Sequence, residues 1–232
     1  HQERGAVAGF ADGTALLVHE RQTFLATGTN VRSIAGPNHT ASTQPIRALD
    51  DGRVVLLFIE EEDGVPIGRV RVLSTATEGI DHTLDFTQCP TDASGYRGVP
   101  RLVDVDASGD EIWVSAMMDE SRTGWPCLFH FDGDSWAARG LGDRWVFQSQ
   151  GYMLTLDGGE ALLFGGGGSE GRHLLRVPRG YMRSEEPSTS LERTPVPEAA
   201  AFGDFLNPRI WRGPTGLWLY ENHRALFRGE ER

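Results

Sequence analysis

Five stretches of the 232-residue chain repeat one pattern, a glycine turn followed by a short apolar strand: ADGTALLVHE, DDGRVVLLFIE, ASGDEIWVSAM, LDGGEALLFGG and GPTGLWLYEN. Their turn glycines, Gly13, Gly52, Gly109, Gly159 and Gly216, fall about 40 to 60 residues apart, the spacing of propeller blades rather than of helical repeats. Asp-Gly between apolar runs is the strongest short hairpin signal. Apolar strands opened by proline (TQPIRAL, YRGVPRLVDV, FLNPRIW) precede several of these turns, and third strands (GRVRVLS, PCLFHFDG, GRHLLRV, RALFRG) follow. No apolar period of 3.6 residues runs over a helical length. The pattern predicts an all-β fold: a single β-propeller over 1–232, five-bladed with four-stranded antiparallel blades, approximately 1–36, 37–90, 91–142, 143–204 and 205–232. A pair of β-sandwiches also uses short strands, but it would not repeat one hairpin at this interval.

Two places strain the repeat. Residues 183–204, rich in Pro, Ser and Glu, read as an excursion of the fourth blade that contains its outer strand. The last blade stops after three strands. Either the N-terminus supplies the fourth, or the ring closes incompletely, or a sixth blade belongs to a longer parent chain.

Composition removes several functions. With a formal charge of -11 the chain lacks the basic stripe that a phosphate-backbone binder needs, so nucleic acid is not an expected partner. No apolar run approaches the roughly 18 residues of a membrane helix. All 22 basic residues are arginine. Schiff-base chemistry and the nucleotide phosphate loop both need a lysine amine, and neither is open to this chain. The run Gly165 to Gly168 is therefore read as the turn between the second and third strands of the fourth blade, since no lysine and no helix follow it. Cys89 and Cys127 match no zinc motif, and they read either as one bridge or as two free thiols. The seven histidines show no metal-ligand spacing, so no metal and no cofactor are expected. A start at HQERG, with neither methionine nor a signal-like segment, reads as a processed chain or a fragment, with a secreted or extracytoplasmic location favoured.

Strand alternation assigns the loops to faces. Hairpins joining first to second strands all lie on one face and are short and uniform, which suits structure. The opposite face receives the second-to-third turns (VHERQ, EEEDGVP, MDESRTGWP, GGGGSEGRH, ENHRA) and the long connections between blades. Variable loops on a rigid scaffold are where binding resides. Glutamate precedes arginine in four of these turns: Glu20 and Arg21, Glu120 and Arg122, Glu170 and Arg172, Glu221 and Arg224. Alternating carboxylates and guanidinia suit a polyhydroxylated or carboxylated ligand, and hairpin tips that are merely polar would look the same. Tyr96, Trp125, Trp145 and Tyr220 reach this face, as stacking platforms or as packing between blades.

NPRIWRGPTGLWLY resembles the inner-strand signature of five-bladed glycosidases of the arabinanase and invertase type, while YRGVP and QPIRALDDGRVVLLF resemble inner strands of sialidases and related Asp-box propellers. The motifs are degenerate. Where those glycosidases carry a catalytic aspartate before proline, this chain has Gln44, Val99 and Asn207. The sialidase Arg-apolar-Pro motif is stretched by Gly98, between Arg97 and Val99, and of the Asp-box only Asp132 to Trp136 keeps its latter half. The resemblance implies a glycan or other small-molecule ligand at the central mouth. Glu20, Glu60, Glu120 and Glu221, at second-strand ends, are the candidate acids and bases of a glycoside hydrolase-like reaction. Arg97 and Arg209 are candidate carboxylate clamps, with Tyr96, His39, Trp125 and Asn207 as further ligand contacts and His223 as a second candidate, beside His39, for proton transfer. The competing reading is a non-catalytic propeller serving as a protein-interaction module, for which the missing pre-proline aspartates are the argument.

Overall fold

The computed structural model describes residues 5–19, 22–34, 46–49, 51–75, 78–89, 99–119, 125–141, 152–155, 159–165, 173–185, 190–196, 209–213, 216–221 and 224–229. They form five antiparallel sheets, each a meander of consecutive strands. Sheet 1 is β1 (Gly5–Gly9), β2 (Thr14–His19), β3 (Gln22–Thr27) and β4 (Asn30–Ile34). Sheet 2 is β5 (Ile46–Ala48), β6 (Val54–Glu62), β7 (Val65–Leu73) and β8 (Gly79–Leu84). Sheet 3 is β9 (Val99–Ser108), β10 (Glu111–Asp119), β11 (Trp125–Phe131) and β12 (Trp136–Gly140). Sheet 4 is β13 (Tyr152–Thr155), β14 (Ala161–Gly165), β15 (His173–Val177) and β16 (Glu192–Pro195). Sheet 5 holds three strands, β17 (Arg209–Gly213), β18 (Gly216–Glu221) and β19 (Arg224–Gly229).

The first strands lie side by side in chain order, β1 against β5, β5 against β9, β9 against β13 and β13 against β17. Successive meanders that touch along their first strands form a propeller. The predicted outer strand of the fourth blade is β16, within the Pro- and Ser-rich excursion. Among the described residues the first strand of the chain, β1, pairs with β2 inside sheet 1, and sheet 5 has three strands.

The repeated glycines have a backbone reason. Gly13, Gly52, Gly109 and Gly159 all take positive φ, between +58° and +84°, at the hairpin joining first to second strand. At Gly52 a Cβ would also stand 2.6 Å from the Ala11 Cβ of the neighbouring hairpin, so a side chain there meets both strain and a clash. In sheet 2 the opposite hairpin is Asp63–Gly64, both at positive φ, the two-residue turn that matches strand twist.

β6 is buried on both faces, which explains why its VVLLFI is apolar without alternation. Val54, Leu56 and Phe58 pack with Ala8, Phe10 and Leu16 of sheet 1. Their neighbours Val55, Leu57 and Ile59 pack with Val105, Ile112 and Val114 of sheet 3. Likewise Trp113 and Leu128 of sheet 3 pack with Leu163, Leu175 and Val177 of sheet 4. The seam between sheets 2 and 3 also carries a covalent tie. Cys89, after a 3-10 turn that follows β8, is bonded to Cys127 of β11, closing a 38-residue separation between two buried residues.

Candidate functional site

The face expected to bind is built by the ends of second strands. β2 ends at His19 and β10 at Asp119, so Glu20 and Glu120 follow directly in the chain, and Glu221 is the last residue of β18. Glu20, Glu120, Arg97, Tyr96, His39, His223, Trp145 and Asn207 themselves lie outside the described residues, as does the glycine run beyond Gly165. Arg209 opens β17 opposite Tyr220, and Trp125 opens β11 opposite Met118. Gly165 pairs with His173, so the connection from 166 to 172 joins two antiparallel strands.

Glu60 is the mouth candidate whose side chain is described. It sits two residues inside the end of β6, paired with Ile67. Its carboxylate accepts from Arg69 Nε at 2.9 Å, and the same guanidinium binds Glu62 at 2.7 Å and Thr83. Arg69 belongs to β7, so this ion pair draws Glu60 toward the third strand and away from β5, the strand nearest the axis. Arg71 continues the ladder with two bonds of 2.6 Å to Asp81 and a position 5.3 Å above the Phe58 ring.

A charge cluster that sequence reasoning missed lies on the innermost strands. Arg47 of β5 reaches across to β9, placing its guanidinium 2.9 Å from Asp106 and 3.6 Å from Asp104. Both aspartates are buried, Asp104 at 1% exposure. Burial works against the charge on Arg47, but the two carboxylates outweigh it and hold the guanidinium above its ordinary pKa. Arg47 pairs with Val55, and Asp104 and Asp106 with Ser115 and Trp113, so the cluster sits in the half of the ring nearer the first-to-second-strand hairpins. The signal was present in LVDVD: two aspartates at alternate positions of an apolar strand share one side, and a buried carboxylate needs a partner.

The same half of the molecule holds a second set, between sheets 3 and 4. His130, 1% exposed, stacks on Trp113 with centroids 4.1 Å apart and lies 3.2 Å from Glu111. Arg179 closes on the other oxygen of Glu111 at 2.9 Å. Burial pushes the His130 imidazole below the ordinary histidine value, against the opposing pull of Glu111. Arg179 lies on a 3-10 turn, Arg179–Arg183, that opens the long connection from β15 to β16. Three arginines fasten this connection to sheet 3. Besides Arg179, Arg183 binds Asp132 at 2.7 Å, and Arg139 donates to the carbonyls of Tyr181 and Ser184 while lying over the Tyr181 ring. Asp132 begins the half-preserved Asp-box, and its carboxylate accepts from the backbone N–H groups of Asp134 and Ser135, so here that motif shapes a hairpin between β11 and β12.

Among the described residues no group of three His, Cys, Asp or Glu side chains is arranged to hold a metal, and no helix is long and apolar enough to cross a membrane. No protein-family model matches the chain, and no curated protein matches it. Among solved structures it is similar to a subtype N10 neuraminidase-like protein of A/little yellow-shouldered bat/Guatemala, at 10% identity and a TM-score of 0.48, over 83% of this chain. The chain spans 58% of the length of that protein. The likeness is one of distant fold.

Proposed function

We propose that the protein is a carbohydrate-binding or carbohydrate-active β-propeller with its ligand at the mouth where second strands end. The observation that supports this is topological. β2, β6, β10 and β18 run in the same sense in sheets whose first strands follow one another in order, and each carries a glutamate at, just before or just after its last residue. Carboxylates gathered on one face accept hydrogen bonds from sugar hydroxyls, and paired carboxyls are the equipment of glycoside hydrolysis. Because Glu60 is engaged by Arg69, the reading rests chiefly on Glu20, Glu120 and Glu221. A second reading, the non-catalytic protein-interaction module, is favoured by Gln44, Val99 and Asn207 standing where the similar glycosidases carry aspartate.

The test is a panel of aryl glycosides and sialosides, run beside direct binding of the corresponding free sugars. Binding without turnover keeps a carbohydrate module and removes the enzyme. Turnover that falls by about a hundredfold or more in Glu20→Gln, Glu120→Gln or Glu221→Gln assigns the acid or base. No binding of any saccharide in the panel refutes the proposal and leaves the interaction module.

A further inference from the structure

The hairpin face, expected from sequence to be structural, carries a cavity. It measures about 630 Å³, within the range of sites that take a small organic ligand, and it lies in sheet 4 beside the fastened connection from β15 to β16. Glu160 precedes β14, Arg176 is near the end of β15 and Glu192 begins β16, and strand direction puts all three on the side opposite the second-strand ends. Glu160 binds Arg176 at 2.6 Å, and Glu192 stands 4.0 Å from the same guanidinium. Ser184 and Ser190 add hydroxyls to the wall, and Tyr181 and Leu191 form its apolar part.

We propose that this cavity binds a neutral polyhydroxylated small molecule of the saccharide class, at a site separate from the mouth. Two carboxylates against one guanidinium disfavour an anion. The carboxylate oxygens accept from hydroxyl donors, and the Arg176 guanidinium donates to hydroxyl and ring oxygens, so the wall offers both halves of what a polyol needs. Ring stacking is not the binding mode, because Tyr181 is 3% exposed and its face is occupied by Arg139 at 3.9 Å. The ligand is held at its edges by hydrogen bonds exchanged with water, which gives weak, selective binding. Arg139 and Arg183 fasten the part of the wall around Tyr181, Arg183 and Ser184 to sheet 3.

Gly180 supplies a clean block. It lines the cavity, a Cβ there meets nothing within 4 Å, and its φ lies outside the left-handed region, so a side chain enters without strain. The experiment follows amide shifts of the whole chain during titration with methyl glucoside, methyl galactoside and N-acetylglucosamine to on the order of 50 mM, with sialic acid and 1,4-diaminobutane as charged controls. The proposal expects a neutral sugar to shift the amides of Glu160, Arg176, Ser184 and Ser190, with affinity reduced at least about tenfold in Gly180→Phe. Glu192→Ala, at a side chain 68% exposed, is expected to weaken binding similarly and guards against misfolding of the first variant. Three results overturn the proposal: no neutral sugar shifts these amides, the shifts persist in both variants, or the diamine alone produces them. Loss of binding at the mouth leaves these amides unaffected, so the two sites fail separately.

Discussion

Arginine meets carboxylate on both sides of sheet 2, with different consequences. On the outer strands Arg69 binds Glu60 and Glu62, and Arg71 binds Asp81 through two short bonds, with Arg71 30% and Asp81 47% exposed at the side chain. On the innermost strands Arg47 holds Asp104 and Asp106, with 16%, 2% and 10% exposure. The outer geometry is the better of the two, yet water competes for it and screens it, so it contributes little. The inner cluster took three charged side chains out of water, and each now depends on the others. Hydrogen-bond length alone would rank the two groups the wrong way round; burial reverses the order.

Breaking the inner group gives the largest expected effect. Arg47→Met leaves two buried carboxylates without their guanidinium and is expected to cost about 3–5 kcal/mol in urea unfolding. Converting all three positions to apolar residues, Arg47→Met with Asp104→Leu and Asp106→Leu, is expected to restore most of that stability, because the desolvated charges leave together. Next comes the tie at the outer edge of the same seam. Replacing Cys89 and Cys127 by alanine reopens a 38-residue loop and should lower stability by about 2–4 kcal/mol, read from the unfolding midpoints of the two proteins under non-reducing conditions.

A smaller effect appears with pH. The native His130 imidazole lies below its ordinary value of 6.5, so the unfolded chain takes up a proton first as pH falls. Stability is therefore full above about pH 6.5 and declines between there and the lower native value. His82, lowered mainly by burial, adds to the slope in the same direction. Urea midpoints measured from pH 7.5 to 5 should fall less steeply in His130→Phe than in the parent. An equal slope would show that the seam between sheets 3 and 4 does not exclude the proton. The smallest change is expected on the outer ladder, where Arg71→Ala should cost under about 1 kcal/mol despite its two 2.6 Å bonds. A loss matching that of Arg47→Met would erase the distinction between the two groups.

Much of the fold was legible because local chemistry and tertiary structure agree. Gly13, Gly52, Gly109 and Gly159 mark hairpins by their positive φ, and the six buried residues of β6 read as one apolar run because both faces are covered. The pairing of Cys89 with Cys127 was not legible, since it depends on how sheet 2 meets sheet 3 rather than on spacing in the chain. Arg47 was overlooked for a similar reason. Its three-residue strand gives no hint of which side faces β9, and only the neighbouring sheet supplies the aspartates. Glu60 shows the converse: correctly placed near a second-strand end, it is drawn aside by Arg69, a partner nine residues away across the hairpin. The long connection after β15 read as an excursion, and what makes it a wall is the set of arginine contacts to sheet 3.

The claim that the ligand is read where the second strands end is tested most directly by amide-shift mapping of a bound saccharide in the Gly180→Phe protein, where the cavity of sheet 4 is filled. Shifts are expected at His19, Glu62, Asp119 and Glu221, the last residues of the second strands. Shifts confined instead to the hairpins of Gly13, Gly52, Gly109 and Gly159, or no shifts with any sugar, would contradict it.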